Sequence, residues 1–171
     1  QGSLSVALVT NIAGRIRTTL TGTADHGTPR FDGELDCGLR LEDGSGANQA
    51  SRAWHDQRSL GASAAEELDL SGGLVDEFGY AIVFPAIKAL MVRAAAGNTN
   101  DVVVGGASAY AFLGPFAESA DKLVLPPGGF VLLVHPDAGW TVTSSPGDLL
   151  RIANGGAGTA VTYDIVLVGI D

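Results

Sequence analysis

The apolar run at residues 81–95, AIVFPAIKALMVRAA, narrows the possible folds most, because only Lys88 and Arg93 in it are charged. Ala, Leu, Met and Lys favour helices, but Pro85 disfavours a helix through the whole run. A strand with one solvent-exposed face alternates, whereas this run is largely apolar on both faces. We therefore expect a strand covered on both sides, by a second sheet, a terminal arm or another subunit. Its two predicted faces are Ile87, Ala89, Met91 and Arg93, and Lys88, Leu90 and Val92.

Regularly spaced turn sequences in the C-terminal part of the chain predict the fold class. Short strand-like runs such as FVLLVH and TAVTYDIVLV are separated by the turn sequences GNTN, PPGG, PDAG and SSPGD. Many short strands at such spacing are typical of a sandwich or a barrel. The 10–15-residue amphipathic segments of a βαβ fold are missing. We predict an all-β fold, and this spacing leaves a sandwich and a barrel open.

The N-terminal part is less regular, and we divide the chain into residues 1–66, N-terminal strands or an arm, and residues 67–171, the sandwich core. Strands are predicted at residues 3–10, at 12–23, in short pieces within 31–41, and at 53–60 with Trp54 facing inward. Residues 72–79 are predicted as a loop. One structural domain is expected for 171 residues. The arm could lie across the apolar outer face of the sheet, or that face could be a subunit interface.

Composition excludes several functional classes. Hydrophobic residues make up 46% of the chain and charged residues 17%, which excludes a disordered chain and favours self-association. The net charge is −9 with only ten Lys and Arg, so we expect no direct binding to nucleic acid. A lone cysteine, Cys37, excludes an internal disulfide. We expect no membrane span and no signal peptide.

No motif in the sequence predicts catalysis. The glycines of NGGAGTA, residues 154–160, precede a predicted strand rather than the helix that a dinucleotide site requires. His26, His55 and His135 are scattered and form no His-x-His pair, which disfavours a metal-dependent cupin-like enzyme. No G-x-S-x-G elbow occurs, and Asp36 beside Cys37 disfavours a thiolate nucleophile. We expect no enzyme activity and assign no catalytic, cofactor-binding or metal-binding residue and no cofactor.

Two loops leave an alternative open. Residues 42–48 offer oxygen atoms from Glu42, Asp43, Ser45 and Asn48, which calcium accepts, but the closing glutamate of an EF-hand loop is missing. A solvated turn is the favoured interpretation there. The loop at residues 106–120 carries three aromatic residues, which could plug one end of the sandwich or anchor a sugar. We favour the plug. The aromatic residues are Tyr110, Phe112 and Phe116.

A family resemblance rests on five segments of the chain. They are DLSGGLVDEFG, IKALMVRAAAGNTNDVVVGGA, FLGPF, LPPGGFVLLVHPDAGWTV and LLRIANGGAGTAVTYDIVLVG. Over residues 68–169, the chain resembles virion structural proteins of tailed bacteriophages, similar in style to jelly-roll head decoration, or cement, proteins. The quoted motifs are signatures of turns and strands and include no catalytic residues. The first 66 residues match less clearly.

This resemblance implies an antiparallel, jelly-roll-like β-sandwich that serves as a structural protein on the capsid exterior of the virion. It implies a homo-oligomer, with a trimer favoured, that stabilises the capsid by binding neighbouring subunits of the major capsid protein. The N-terminal segment would be an arm that reaches an adjacent capsomer by pairing strand edges. A tail-tube or minor tail protein is the first alternative, and a small glycan- or receptor-binding β-sandwich module is an alternative of another class.

Overall fold

A computed structural model describes residues 7–107 and 109–171 of the chain. Within them, fourteen β-strands form, and no helix is long and apolar enough to cross a membrane. The strands are β1 (Thr10–Thr21), β2 (Arg30–Asp43), β3 (Gln49–Ala50), β4 (Arg52–Leu60), β5 (Ala65–Asp69), β6 (Ser71–Val75), β7 (Ala81–Val83), β8 (Ala86–Ala94), β9 (Val102–Gly105), β10 (Lys122–Leu125), β11 (Phe130–Val134), β12 (Trp140–Thr141), β13 (Leu149–Asn154) and β14 (Val161–Ile170).

Two antiparallel sheets make the body of the molecule. One has the strand order β10-β9-β13-β5, and the other has the order β11-β8-β14-β4, with the short β12 also paired to β8. The chain passes between these sheets at most of its connections, whereas the consecutive strands β9 and β10 pair as neighbours within one sheet. Eight strands in this order form the two Greek keys of a jelly roll. The predicted fold class, an antiparallel, jelly-roll-like β-sandwich, is therefore confirmed.

The inner faces of the two sheets form one hydrophobic core. In β14, alternate side chains point inward, from Val161 through Tyr163 and Ile165 to Leu167, and they are almost fully buried. Trp54 of β4 also faces inward, as predicted, and its indole Nε1 donates to the carbonyl oxygen of Val75 at 3.1 Å. The period-two pattern of the sequence thus orients each strand toward the core.

The run at residues 81–95 does not form one strand. Pro85 separates β7, which pairs with β6, from β8 in the larger sheet. The predicted division of faces is wrong at one position, since Ile87 lies in the core together with Leu90. A β-bulge shifts the inward and outward alternation of the side chains at this point. Val168 of β14 pairs with Ala89, but the next residue of β14, Gly169, pairs with Ile87. Lys88 is thereby the extra residue of the bulge.

The N-terminal half differs from its prediction in three places. Residues 3–6 of the predicted first strand lie outside the described residues, and β1 begins only at Thr10. The predicted short pieces within 31–41 are one strand of 14 residues, β2. The predicted loop at 72–79 is wrong, because β6 occupies its first part. The predicted boundary after residue 66 falls inside β5, which pairs with β13 in the sandwich.

Candidate interaction surface

Strands β1 and β2 form a long two-stranded arm. They pair antiparallel without a bulge over twelve residue pairs, from Thr10 opposite Leu41 to Thr21 opposite Arg30. Threonines and β-branched or aromatic residues favour such extended backbone. Residues directly opposite each other project from the same side of the ribbon. The register therefore sorts the side chains of the arm into two distinct faces.

One face of the arm is apolar. At the base of the arm, Leu41 is fully buried and Ile12 and Leu39 are half-buried. Beyond the base the same face is exposed, and we call its outer part the distal arm face. The relative exposures of its four large side chains are 69% for Ile16, 67% for Leu20, 65% for Phe31 and 64% for Leu35. Cys37, also exposed, lies opposite Gly14 on this face.

The opposite face of the arm carries charged residues that pair with one another. Arg15 contacts Glu34 at 2.6 Å, and Arg40 contacts Glu42 at 2.6 Å. Arg30 approaches Asp32 at 2.8 Å and, with a hydrogen bond from Thr19, holds the pKa of the Asp32 carboxyl below its usual range. An arm with one charged and one apolar face is suited to lie on another surface.

The base of the arm packs on the outer face of the larger sheet. Leu41 and Ala50 are buried against Ala89 of β8 and Val168 of β14. Val134 of β11 also packs there. The N-terminal segment thus covers one end of the apolar outer face, as the intramolecular alternative predicted. Among residues 7–107 and 109–171, this base region is where the structure shows the arm packed on the sandwich.

The Lys88 ammonium group holds the loop at residues 44–48. This fully buried side chain donates to the carbonyl oxygen of Gly46 at 3.1 Å and to that of Asp137. The amide of Asn48 donates to the carbonyl of Pro136 at 2.8 Å. Calcium binding at residues 42–48 was an open alternative. A backbone oxygen of this loop, that of Gly46, already accepts a hydrogen bond from the cationic Lys88 ammonium group. That arrangement disfavours a second cation beside it.

A second apolar surface lies next to the arm base on the same sheet. Val166 of β14 stands between Met91 of β8 and His55 of β4, and Met91 stands opposite Leu132 of β11. Val166 is 38% exposed, and Phe130, two residues from Leu132 on the edge strand, is 64% exposed. We call Val166, Met91, Leu132 and Phe130 the outer strip. A polar row of Gln57, Asp164 and Arg93 borders it.

The turn between β6 and β7 presents two aromatic side chains, Phe78 and Tyr80, both more than 70% exposed. Its backbone is fixed independently of them, because the Asp76 carboxylate accepts the amides of Phe78 and Tyr80 at 2.9 and 2.8 Å. Glu77 contacts His55 Nε2 at 2.7 Å and ties the turn to β4. Exposed aromatic residues on a fixed turn are typical anchors for a binding partner.

The aromatic loop closes one end of the sandwich, as the favoured interpretation predicted. Phe112 is 2% exposed and belongs to the core, and Phe116 packs against it. Tyr110 is exposed, and its carbonyl accepts the amides of Asp148 and Leu149. Phe112 therefore cannot serve as a surface anchor for a sugar.

A polar cleft of about 360 Å³ opens between the edge strands β4 and β5. Its polar groups satisfy one another: Arg58 binds both Asp56 and Glu66, and the Tyr163 hydroxyl donates to Glu66 at 2.7 Å. The hydrogen bond that Arg58 donates to Glu66 raises the pKa of the Arg58 guanidinium, and burial raises the pKa of the Tyr163 hydroxyl. This network connects the two sheets.

The structure brings no metal-binding cluster together within residues 7–107 and 109–171, where no three His, Cys, Asp or Glu side chains are placed to hold an ion. His55 contacts Glu77, and the ring of His135 packs edge-on against Trp140 at 5.6 Å. Sequence reasoning missed the Phe78 turn, whereas the outer strip belongs to the apolar outer face that the sequence predicted. The distal arm face had a visible signal, the alternation of Ile16, Thr18 and Leu20.

No protein-family model, no characterised protein and no solved structure matches this chain.

Proposed function

We propose that this chain is a structural virion protein of a tailed phage, which decorates the outer surface of the capsid and stabilises it by binding neighbouring capsid subunits. The observation that carries the proposal is the projecting arm with its exposed apolar face. An arm of twelve paired positions spans roughly 40 Å at about 3.4 Å per residue, enough to reach a neighbouring subunit.

Two further features support a structural role. Exposed apolar side chains are concentrated on projecting hairpins, at the distal arm face and at the Phe78 turn. The resemblance of residues 68–169 to virion proteins gives the jelly-roll sandwich its proposed context. We assign the contact with the capsid shell to Phe78 and Tyr80, because aromatic anchors dominate the binding energy of many interfaces.

Cosedimentation with empty capsid shells of the phage that encodes the chain tests this function. We expect the protein to bind the shells and to raise their resistance to heat. Phe78→Ser should weaken binding by roughly tenfold or more without unfolding the turn, since Asp76 fixes its backbone. Val124→Ser is the matched control, because Val124 is an exposed apolar residue on the opposite sheet.

Binding to purified tails but not to shells would overturn the capsid assignment and favour the tail alternative. Binding to neither would overturn the virion role. The second candidate function, a glycan- or receptor-binding module, is favoured by the same exposed aromatic turn. It predicts binding on a glycan array that is lost in Phe78→Ser and kept in Val124→Ser.

A further inference from the structure

The distal arm face is too apolar to remain in water in the working form of the protein. Ile16, Leu20, Phe31 and Leu35 are each about two-thirds exposed, and together they present on the order of 500 Å² of apolar surface, near the upper end for a soluble monomer. Their arrangement is regular, since Ile16 faces Leu35 and Leu20 faces Phe31 in the register of the arm. The distal face is therefore built as a contact surface.

The chain itself shows which kind of surface this face fits. At the base of the arm, the same face, through Ile12, Leu39 and Leu41, packs on the outer face of the larger sheet at Ala89 and Val168. The distal arm face continues this packing surface without a break, because the register of β1 and β2 has no bulge.

The outer sheet face also continues beyond the contact with its own arm. One row of side chains further along the strands lie Val166, Met91 and Leu132 of the outer strip, with Val166 at 38% exposure. Phe130, at 64% exposure, lies one row beyond them, opposite Arg93. Each copy thus has two uncovered apolar surfaces. One is the distal arm face, and the other is the outer strip, which lies on the same sheet that already contacts the base of the chain's own arm.

We propose that the distal arm face of one copy packs on the outer strip of a second copy of this chain. The contact is heterologous: each copy gives an arm and receives one, so the assembly can close into a ring. Each contact buries the distal arm face, on the order of 500 Å², which is less than the ~800 Å² per partner of a standard interface, so closure of the ring is needed to hold the copies together.

The charges of the arm are compatible with this contact. Although the chain has a net charge of −9, the charged face of the arm carries arginines paired with carboxylates, as in Arg15–Glu34 and Arg40–Glu42. The polar border of the strip is also paired, since Arg93 contacts Asp164 at 2.6 Å. Neither surface therefore brings an uncompensated charge to the other.

Light scattering of the free protein over a range of concentrations tests the proposal. We expect a closed oligomer for the natural chain. Leu20→Glu should weaken association by roughly tenfold or more. Thr21→Glu is its control, because it adds the same charge at the next residue, on the opposite face of the arm, and it should leave association unchanged. Phe130→Glu should weaken it similarly, and Val124→Glu, on the edge strand of the other sheet, should not.

Cys37 provides a second readout on the natural chain. It is the lone thiol and lies on the apolar side of the arm, so its reaction with a thiol reagent should slow as the protein concentration rises. A monomer at every concentration would overturn the proposal. Loss of association in Leu20→Glu but not in Phe130→Glu would overturn it in favour of pairing between arms. Because no shell is present, failure to bind capsids leaves this result unaffected.

Discussion

The ammonium group of Lys88 donates a hydrogen bond at 3.1 Å to the carbonyl oxygen of Gly46, which lies 42 positions earlier in the chain. A second hydrogen bond reaches the carbonyl of Asp137, in the turn after β11. One buried side chain of the sandwich thereby connects the loop that ends the arm with the turn between β11 and β12. Lys88 can make both contacts because it is the extra residue of a bulge in β8.

Lys88→Met should therefore loosen the attachment of the arm. The change removes the two hydrogen bonds that the fully buried ammonium group donates, and we expect the free energy of unfolding to fall by about 1–3 kcal/mol. Hydrogen exchange at the amide of Asn48, which donates to Pro136, should accelerate. Lys122→Met is the control, because Lys122 is the other lysine and is exposed. Equal exchange at Asn48 in both variants would contradict the assigned role.

Phe112→Ala should destabilise the sandwich strongly. The side chain is 2% exposed and packs in the core, and truncating a buried Phe costs about 3–5 kcal/mol. Leu113→Ala, on the neighbouring and partly exposed residue, should cost about 1 kcal/mol or less. Chemical denaturation of both variants measures the difference. Similar midpoints would show that the loop is not a plug.

Asp164 should contribute stability only above the acid range. A hydrogen bond from Gln57, followed by the contact with Arg93, holds the pKa of the Asp164 carboxyl below its usual range. The charged form is thus favoured by folding, so its contribution is present above the unfolded pKa of about 3.9 and is lost as pH falls through the lower, folded pKa.

The partner residues are well exposed, so the expected effect is small. Asp164→Asn should lower the free energy of unfolding at neutral pH by about 0.2–1 kcal/mol, and the difference from the natural chain should shrink toward pH 3. Urea denaturation at both pH values measures this change. A difference that grows in acid would refute the direction of the shift.

Tyr163 should make the fold sensitive to alkaline pH. Burial, together with the hydrogen bond to Glu66, raises the pKa of its hydroxyl. The neutral form is favoured by folding, so its contribution is complete below the unfolded pKa of about 10 and is lost as pH rises above that value. Tyr163→Phe should lower stability at pH 7 by about 1–3 kcal/mol and flatten the alkaline decline. An unchanged decline would assign it to other groups.

Local patterns in the sequence predicted most of the sandwich. Strand β11 occupies residues 130–134 of the predicted run FVLLVH, and the turn-rich segments between later strands lie where Gly and Pro place them. These elements depend on neighbouring residues only. The jelly-roll order could be inferred from this spacing together with the family resemblance.

Features that depend on distant partners could not be predicted in this way. Gly72 and Gly73 suggested a loop, yet β6 forms around them because Ser71, Leu74 and Val75 pair with β7. The Trp54 indole also donates to the carbonyl oxygen of Val75. The bulge at Lys88 depends on the point where β8 changes its partner from β11 to β12. Gly169 is needed at that bulge, because a Cβ would collide with the carbonyl oxygen of Ala86.

The candidate surface was predictable only in part. Alternation in β1 predicted that Ile16 and Leu20 share a face, and the structure confirms it. Gly33 and Gly38 interrupted the pattern in β2, although both positions pair with β1, opposite Thr18 and Ala13. The apolar face spanning both strands becomes visible only when this register is known.

A hairpin of two strands is marginally stable alone in water, and the arm beyond its base has no third strand among the described residues. The sandwich body should therefore fold first and the arm should settle last, on whatever surface receives it. When the arm binds a surface, part of the binding free energy is then used to order the arm, so a single contact stays weak and rapidly reversible. A wrongly placed copy can detach and rebind, whereas a closed set of copies holds every arm at once.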